Sequence, residues 1–300
     1  MKNYIGIDLG GTNVRVAKIT ENGDVLQEIK SQSYGLEGPG VVVPNIIKII
    51  KEIEGYKDVS GIGIGVPGPV DTINGVMKMS TNLTGFTDYP LAKTISEELD
   101  IPTYIDNDAN VAGLAEALVG AGKDKPVVYY ATISTGIGGA LIVNGKVVSG
   151  RNGYAGEIGN IIVKDNGDKV NALNPGAVEN EASGTALTRK AKKLYPENTI
   201  NSALDIFERA RKKDPIALEL CKQMSKDIAR VFSTIAHVVD PDIFVIGGGV
   251  MNASDVFLED MKKEYNNLVH IGMRDPIFTR AKLDEPGIIG AAMLPRSMGE

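Results

Sequence analysis

The sequence predicts an α/β protein of two lobes, each a mixed sheet flanked by helices and both built on one plan. Three observations predict it. The stretch "YIGIDLGGTNVRVAKI", residues 4–19, reads as strand, glycine turn, strand. An Asn22-Gly23 hairpin signal and a third strand, "VLQEIK", complete a meander. The same order of five elements returns in "VVYYATISTGIGGALIVNGKVVSG", with Asn144-Gly145 in the place of Asn22-Gly23. Two unrelated hairpins would share one or two of these features; five in order point to a duplication with a cleft between the copies.

The elements follow in turn. Ile46, Ile47, Ile50 and Ile53 fall at helical spacing. "GIGIGVPGPVD" (61–71) is a buried strand running into a Gly-Pro loop. "PLAKTISEEL" is a helix, and "PTYIDND" is a strand that ends in a turn. "ANVAGLAEALVGAG" is an Ala-rich helix stopped by Gly120 and Gly122. Ile216, Leu220, Met224, Ile228, Val231, Ile235 and Val239 mark a long core helix. It leads through Pro241 into the buried strand "DIFVIGGGV". The repeat sets the lobe boundary near 115–125. Residues 1–118, with the C-terminal segment 287–300, form the smaller lobe, and 119–286 the larger.

Composition narrows the function classes. The chain has 300 residues, 43% of them hydrophobic, which is enough for two separate cores. A net charge of −6 and the lack of a basic cluster argue against nucleic acid as a partner. Cys221 is the one cysteine, so no internal disulfide exists. "MKNYIGIDLGG" has no apolar signal region, and no run of about 20 apolar residues occurs, so a cytoplasmic protein without a membrane span is expected. Tryptophan is absent, which excludes a Trp-lined sugar surface.

A Gly-Gly-Thr turn between strands exposes backbone N–H groups that a phosphate can approach closely, and Thr12 adds a hydroxyl. No helix follows the glycines, so this is neither a Walker loop nor a dinucleotide fingerprint. "STGIGG" (134–139) offers a second turn, and "IGGGV" (246–250) a bare backbone for a base or ribose. Singly, each reads as a tight structural hairpin; the three in this order suit a nucleoside triphosphate. Asp8, just before the first turn, is either a turn cap or a ligand of Mg²⁺, direct or through water.

"YIDNDANVAGLAEA" places Asp106, Asn107 and Asp108 where a strand meets a helix. One such residue is needed as an N-cap; three exceed that need. In a phosphoryl transferase a carboxylate here accepts the proton of the attacking alcohol. Asp108 is the candidate base, with a pKa expected to be lowered by the helix terminus, and Asn107 the candidate sugar-hydroxyl donor. Glu157 in "GYAGEIGN" and Glu179 in "GAVENEASG" are either hydroxyl acceptors or ordinary loop residues.

Together these motifs resemble the ROK family of bacterial sugar kinases, within the actin-like (ribonuclease H-like) ATPase superfamily. The resemblance runs from "GIDLGGTNVR" through "GVPGPVD", "NLTGF", "IDNDANVAGLAEALVGAG", "ISTGIGGALIVNGKVVSG", "GYAGEIGN" and "ASGTAL" to "IGGGV". It implies transfer of the ATP γ-phosphate to a hexose hydroxyl, usually O6, with Mg²⁺. Asp108 matches the catalytic aspartate. Gly10, Gly11 and Thr12 match the first phosphate loop, Thr135, Gly136 and Gly138 the second, and Gly247 and Gly248 the nucleoside side. Gly68, Asn82, Asn107, Glu157 and Glu179 match sugar-facing positions. A homodimer is also implied.

One departure stands out. The family's zinc site, written EIGH then CxCGxxGC, has its four ligand positions filled here by Asn160, Val170, Ala172 and Ala177. None is a thiol or imidazole, so no structural zinc is expected. The family histidine replaced by Asn160 also touches the sugar, which leaves the substrate open. Glucose is the default; N-acetylmannosamine, another amino sugar and fructose are alternatives. Sugar-responsive repressors share the fold but carry an N-terminal helix-turn-helix, for which a first strand starting at Tyr4 leaves no room. A catalytically dead sugar-binding protein is the other alternative, against which Asp8, Gly10, Gly11, Thr12 and Asp108 all stand.

Overall fold

Alternation of apolar residues builds the first sheet. Strands β1 (Asn3–Leu9), β2 (Asn13–Thr20) and β3 (Val25–Gln32) form an antiparallel meander. Helix α1 (Pro39–Lys51) follows, then β4 (Ile62–Val66), the short pair β5 (Val70–Asp71) and β6 (Val76–Met77), helix α2 (Leu91–Leu99), β7 (Thr103–Asn107) and helix α3 (Asp108–Leu118). The sheet order is β3-β2-β1-β4-β7, with β4 parallel to both β1 and β7. All five residues of β4 are buried, as its continuous apolar run requires of a central parallel strand. The computed structural model that shows this describes residues 1–80 and 82–299.

The spacing of isoleucines in α1 holds with two changes, one of them that Ile53, though buried, lies beyond the helix end at Lys51. Ile46, Ile49 and Ile50 are buried with Val42 and Val43, while Ile47 is only partly covered. Each such side chain contributes roughly 1.5–3 kcal/mol when fully removed from water. The last helix, α9 (Pro286–Met298), packs on β1, β4 and α3. It lies so close that a Cβ on Gly63 would fall 1.8 Å from the Ala291 carbonyl oxygen. Only glycine permits that contact.

The second sheet is formed by β8 (Val127–Ile133), β9 (Ile137–Val143), β10 (Lys146–Val147), β11 (Ile243–Gly247) and β12 (Phe278–Arg280), in the order β10-β9-β8-β11-β12. That is the order of the first sheet again. The two Asn-Gly turns differ, however. Asn144 and Gly145 both have positive φ, 51° and 73°, the two-residue turn that suits strand twist. At the first copy only Gly23 does, at 91°, inside a longer loop closed by Thr20 N–H to the Asp24 carbonyl, beside a register shift at Lys18/Ile19.

Helices α4 (Val178–Ala182), α5 (Gly184–Lys192), α6 (Ala203–Arg211), α7 (Pro215–Val239) and α8 (Ser254–Leu268) complete the fold. Helix α7 starts at Pro215, capped by Asp214, whose carboxylate accepts from the Ile216 and Ala217 N–H groups. Its inner face buries Met224, Ile228, Val231 and Phe232, and Phe232 meets Phe244 and Phe278 edge-on. By internal contact the chain divides into two units. One is Met1–Tyr130 with Ala140–Gly156 and Ala281–Glu300; the other is Ala131–Gly139 with Glu157–Arg280. Among the described residues no helix is long and apolar enough to cross a membrane.

Candidate functional site

In the first unit the strand register assembles one carboxylate row. Asp8 of β1 pairs with Gly65 of β4, and Gly65 pairs with Asp106 of β7. All three lie at the carboxyl ends of parallel strands, where ligands bind in open α/β sheets. The turn Gly10–Thr12 follows β1 directly. None of its residues has positive φ. Glycine at 11 is required instead by proximity, since a Cβ there would sit 2.7 Å from the Asn82 carbonyl oxygen. A Cβ on Gly35 would in turn meet the Gly11 oxygen at 2.4 Å, and Ser33 N–H donates to the Thr12 oxygen at 2.9 Å. The first glycine turn and Asn82 are thus packed together. Gly68, with φ 94°, ends β4 beside the Met79 carbonyl.

The three polar residues before α3 divide the work. Asn107, buried, is the N-cap: its Oδ1 accepts from Asn110 N–H at 2.7 Å, leaving its Nδ2 as a donor. Asp106, also buried, accepts from Asn107 N–H and Asn110 Nδ2, both at 2.7 Å, through Oδ1. Burial pushes its carboxyl up to about 6 despite those bonds. Asp108 keeps surface accessible to water although protein closely surrounds it, and its Oδ1 accepts from Ala109 N–H at 2.8 Å.

The lowered pKa expected for Asp108 is not found. Its carboxyl is raised, because loss of surrounding water outweighs the N–H groups at the helix start. The helix dipole is worth under about 1 kcal/mol at such a position and loses to desolvation. Asp8 is raised too, by desolvation first; Arg15 opposes this and the charge of Asp108 adds to it. Arg15 Nη1 lies 3.9 Å from Asp8 and also bonds Glu285 at 2.6 Å, while its Nε bonds Glu28 at 2.8 Å.

In the second unit the turn Ser134–Gly136 joins β8 to β9, with Ser134 N–H bonded to the Gly136 oxygen at 2.9 Å. Gly138 lies within β9. Gly247 ends β11, and Gly248, φ 88°, is pressed against β8: a Cβ there would fall 2.2 Å from the Ile133 oxygen. Glu179, in the first turn of α4, accepts from Ile137 N–H at 2.9 Å. Ser134 and Thr135 also line an open cavity of about 790 Å³, together with Leu204, Phe207, Gly249, Arg189 and Lys192. An apolar wall, a bare glycine backbone and two cations are what a nucleotide's base and phosphates need.

Glu157 precedes and Asn160 ends a short 3₁₀ turn, Ile158–Asn160, and both are exposed. Asn160 Oδ1 accepts from Asn174 N–H at 2.7 Å. Val170 lines the cavity, Ala172 is exposed, and Ala177 is buried in a bridge to Ile162. Among the described residues no group of three or more His, Cys, Asp or Glu could hold a metal ion.

Arg15, Glu116 and Gly35 hold structure in the first unit, and the sequence motifs assign them no role. Arg15 is the cross-strand partner of Asp8, so the alternation of β2 was its signal. Glu116 is fully buried and accepts from the N–H groups of Ala121, Lys282 and Leu283. An acid inside an Ala-rich helix was the clue. Gly35 offered none, because its neighbour Gly11 is 24 positions away.

Comparisons agree with these motifs. The model described as "ROK family" matches residues 4–297. The glucokinase of Halalkalibacterium halodurans is 30% identical over 97% of this chain and 94% of its own. The ROK hexokinase of Thermus thermophilus has a TM-score of 0.86 at 30% identity, with 97% of each chain covered. A ROK family glucokinase from Streptomyces griseus, solved with glucose and AMPPNP, has a TM-score of 0.76 at 29% identity, covering 98% of this chain and 99% of that one. The two sheets with their flanking helices are therefore the actin-like ATPase fold. With a match that leaves out only three residues at each end, the chain belongs to the ROK family.

Proposed function

We propose that this protein is an ATP-dependent sugar kinase that transfers the γ-phosphoryl group to the 6-hydroxyl of a hexose, with glucose the first substrate to test. The observation that carries the reading is Asp108: an accessible carboxylate with raised pKa, at the start of α3, beyond the carboxyl ends of the strands that hold Asp8 and Asp106. The glucokinase and hexokinase relatives support it.

In this reading the sugar's O6 forms the new bond to phosphorus, the bond to the β,γ-bridging oxygen breaks, and the hydroxyl proton passes to Asp108. A raised pKa makes Asp108 a better proton acceptor than a solvated aspartate. The transition state is loose, so orientation matters more than basicity. Asn107 spends its oxygen on the helix cap and its Nδ2 on a sugar hydroxyl. Gly68, Asn82, Glu157, Asn160 and Glu179 complete the sugar contacts. Gly10–Thr12 and Thr135–Gly138 receive phosphate oxygens, and Gly247 and Gly248 let the nucleoside lie close. Asp8 is the residue to hold Mg²⁺, directly or through water. The lack of a three-residue ligand group among the described residues fits an ion bound by one carboxylate and the nucleotide's own phosphates. Such an ion neutralises phosphate charge when bound.

The proposed proton acceptor lies in the first unit and the cavity in the second. A homodimer in the cytoplasm completes the reading, and a sizing column tests the dimer. An ADP-coupled assay over glucose, fructose, N-acetylglucosamine and N-acetylmannosamine tests the activity. Release of ADP that depends on one hexose supports it; no sugar-dependent ADP release with any of them overturns it.

A further inference from the structure

Glu179 stands among the sugar-facing positions, yet its bonds point elsewhere. Its Oε2 accepts from Ile137 N–H at 2.9 Å, the first residue after the Ser134–Gly136 turn. Its Oε1 accepts from Asn171 Nδ2 at 3.3 Å, so the carboxylate is steadied from the far side. Gly136 makes room for it, since a Cβ there would lie 2.6 Å from Oε2, while Gly159 makes room for the Ile137 oxygen, which a Cβ on Gly159 would meet at 2.4 Å. The carboxylate therefore fills the space under the turn that glycine leaves open. From the other side of the turn, Gly184 N–H holds the Ser134 oxygen at 2.8 Å.

We infer that Glu179 is a positioning residue for the second phosphate turn: it fixes the Thr135–Gly136 backbone in the shape that receives the nucleotide, whether or not a sugar is present. The inference rests on the kinase reading and adds to it a link between the sugar side and the nucleotide side through one carboxylate. Each carboxylate oxygen has a second acceptor site, so a hydroxyl contact and the turn bond are compatible.

Simple electrostatics and this inference predict opposite signs. Removing a negative charge beside a polyphosphate should tighten nucleotide binding. Removing a clamp that orders the phosphate turn should weaken it.

The test is calorimetric titration of Mg²⁺-ADP into the full-length protein with no sugar added. Glu179→Ala is expected to weaken ADP by about tenfold, the loss of one charge-assisted hydrogen bond. Glu179→Gln keeps a neutral acceptor for Ile137 N–H and is expected to fall between, at about threefold. If Glu179→Ala does not fold, the Gln variant and Asn171→Ala, which frees Oε1, carry the test, each expected to weaken ADP. Unchanged or tighter ADP binding in the folded variants, while the wild type binds, overturns the inference and leaves the kinase reading standing. A wild type that binds no nucleotide overturns both.

Discussion

Replacing Asp106 by asparagine isolates the electrostatic strain in the site. An unfolded aspartate titrates near 3.8, and in the fold burial moves Asp106 to about 6. Between these values the folded chain keeps a proton that the unfolded chain has released. Stability contributed by the protonated group is thus complete below pH 3.8 and is lost as pH rises through about 6. At 1.36 kcal/mol per pH unit, the deficit at pH 7.5 is about 3 kcal/mol. Asp106→Asn keeps an oxygen for Asn107 N–H and Asn110 Nδ2, and its new amide group faces Ser149, whose hydroxyl can accept. The variant should match the wild type near pH 4 and exceed it by up to about 3 kcal/mol at pH 7.5. For a chain of this size that is several degrees in melting temperature. Urea titrations at pH 4.5, 6 and 7.5 measure it. Parallel stability curves for the two proteins, or a wild type that gains on the variant as pH rises, would refute the reasoning.

Other expectations follow from the same geometry. Asp108→Asn removes the proton acceptor and should lower kcat by roughly 10²–10⁴-fold with little change in sugar KM, read in the ADP-coupled assay; an unchanged kcat rules Asp108 out as base. Because the Asp108 carboxyl is raised, the acid limb of the wild-type kcat profile should lie above pH 3.8, and a limb at or below that value would contradict its desolvation. Gly248→Ala would need both a φ of 88° and a Cβ 2.2 Å from the Ile133 oxygen, so a loss of about 3 kcal/mol or failure to fold is expected from chemical denaturation. EDTA should leave the melting midpoint unchanged and abolish activity until Mg²⁺ is returned; one tightly held zinc per chain in elemental analysis would contradict the assignment of Asn160, Val170, Ala172 and Ala177.

The parts of the fold legible in the sequence are those with short-range signals. The alternation of "YIGIDL" and "VRVAKI", the unbroken apolar run of β4 and the stripe of α7 each name an element without reference to a partner, and each is present. The repeat was legible for the same reason and reappears as two sheets of identical order. What escaped depends on pairs distant in the chain. Asn22-Gly23 and Asn144-Gly145 look alike, but the register shift at Lys18/Ile19 gives the first a longer loop. Asp108 sits at a helix start, which argues for a low pKa, while the surrounding protein that limits its hydration is visible only in three dimensions. The glycines of both turns were read as clearing space for phosphate. They also clear it for protein: Gly11 for the Asn82 backbone and Gly136 for the Glu179 carboxylate.

The loop from Asn160 to Glu181 keeps its shape with no thiol or imidazole at the four positions that the resemblance assigns to zinc. A zinc would tie those positions to one point. Here the ties are spread over several pairs. Asn160 Oδ1 holds Asn174 N–H, and the bridge of Ile162 with Ala177 closes the base. Glu181, almost wholly buried, takes Asp168 N–H at 2.8 Å and Lys190 Nζ at 2.5 Å, with Lys164 3.7 Å away. Burial alone would raise the Glu181 carboxyl; Lys190 and the Asp168 N–H outweigh it, and the group is lowered. Arg189 binds Asp168 and the Asn180 oxygen and also edges the cavity. Lys190, mostly buried, is the main counter-charge of this carboxylate, so its removal should destabilise the loop more than removal of the half-exposed Lys164. Those ties run from the loop to α5, whose Arg189 and Lys192 also line the cavity, so the loop and the cavity wall share one set of supports.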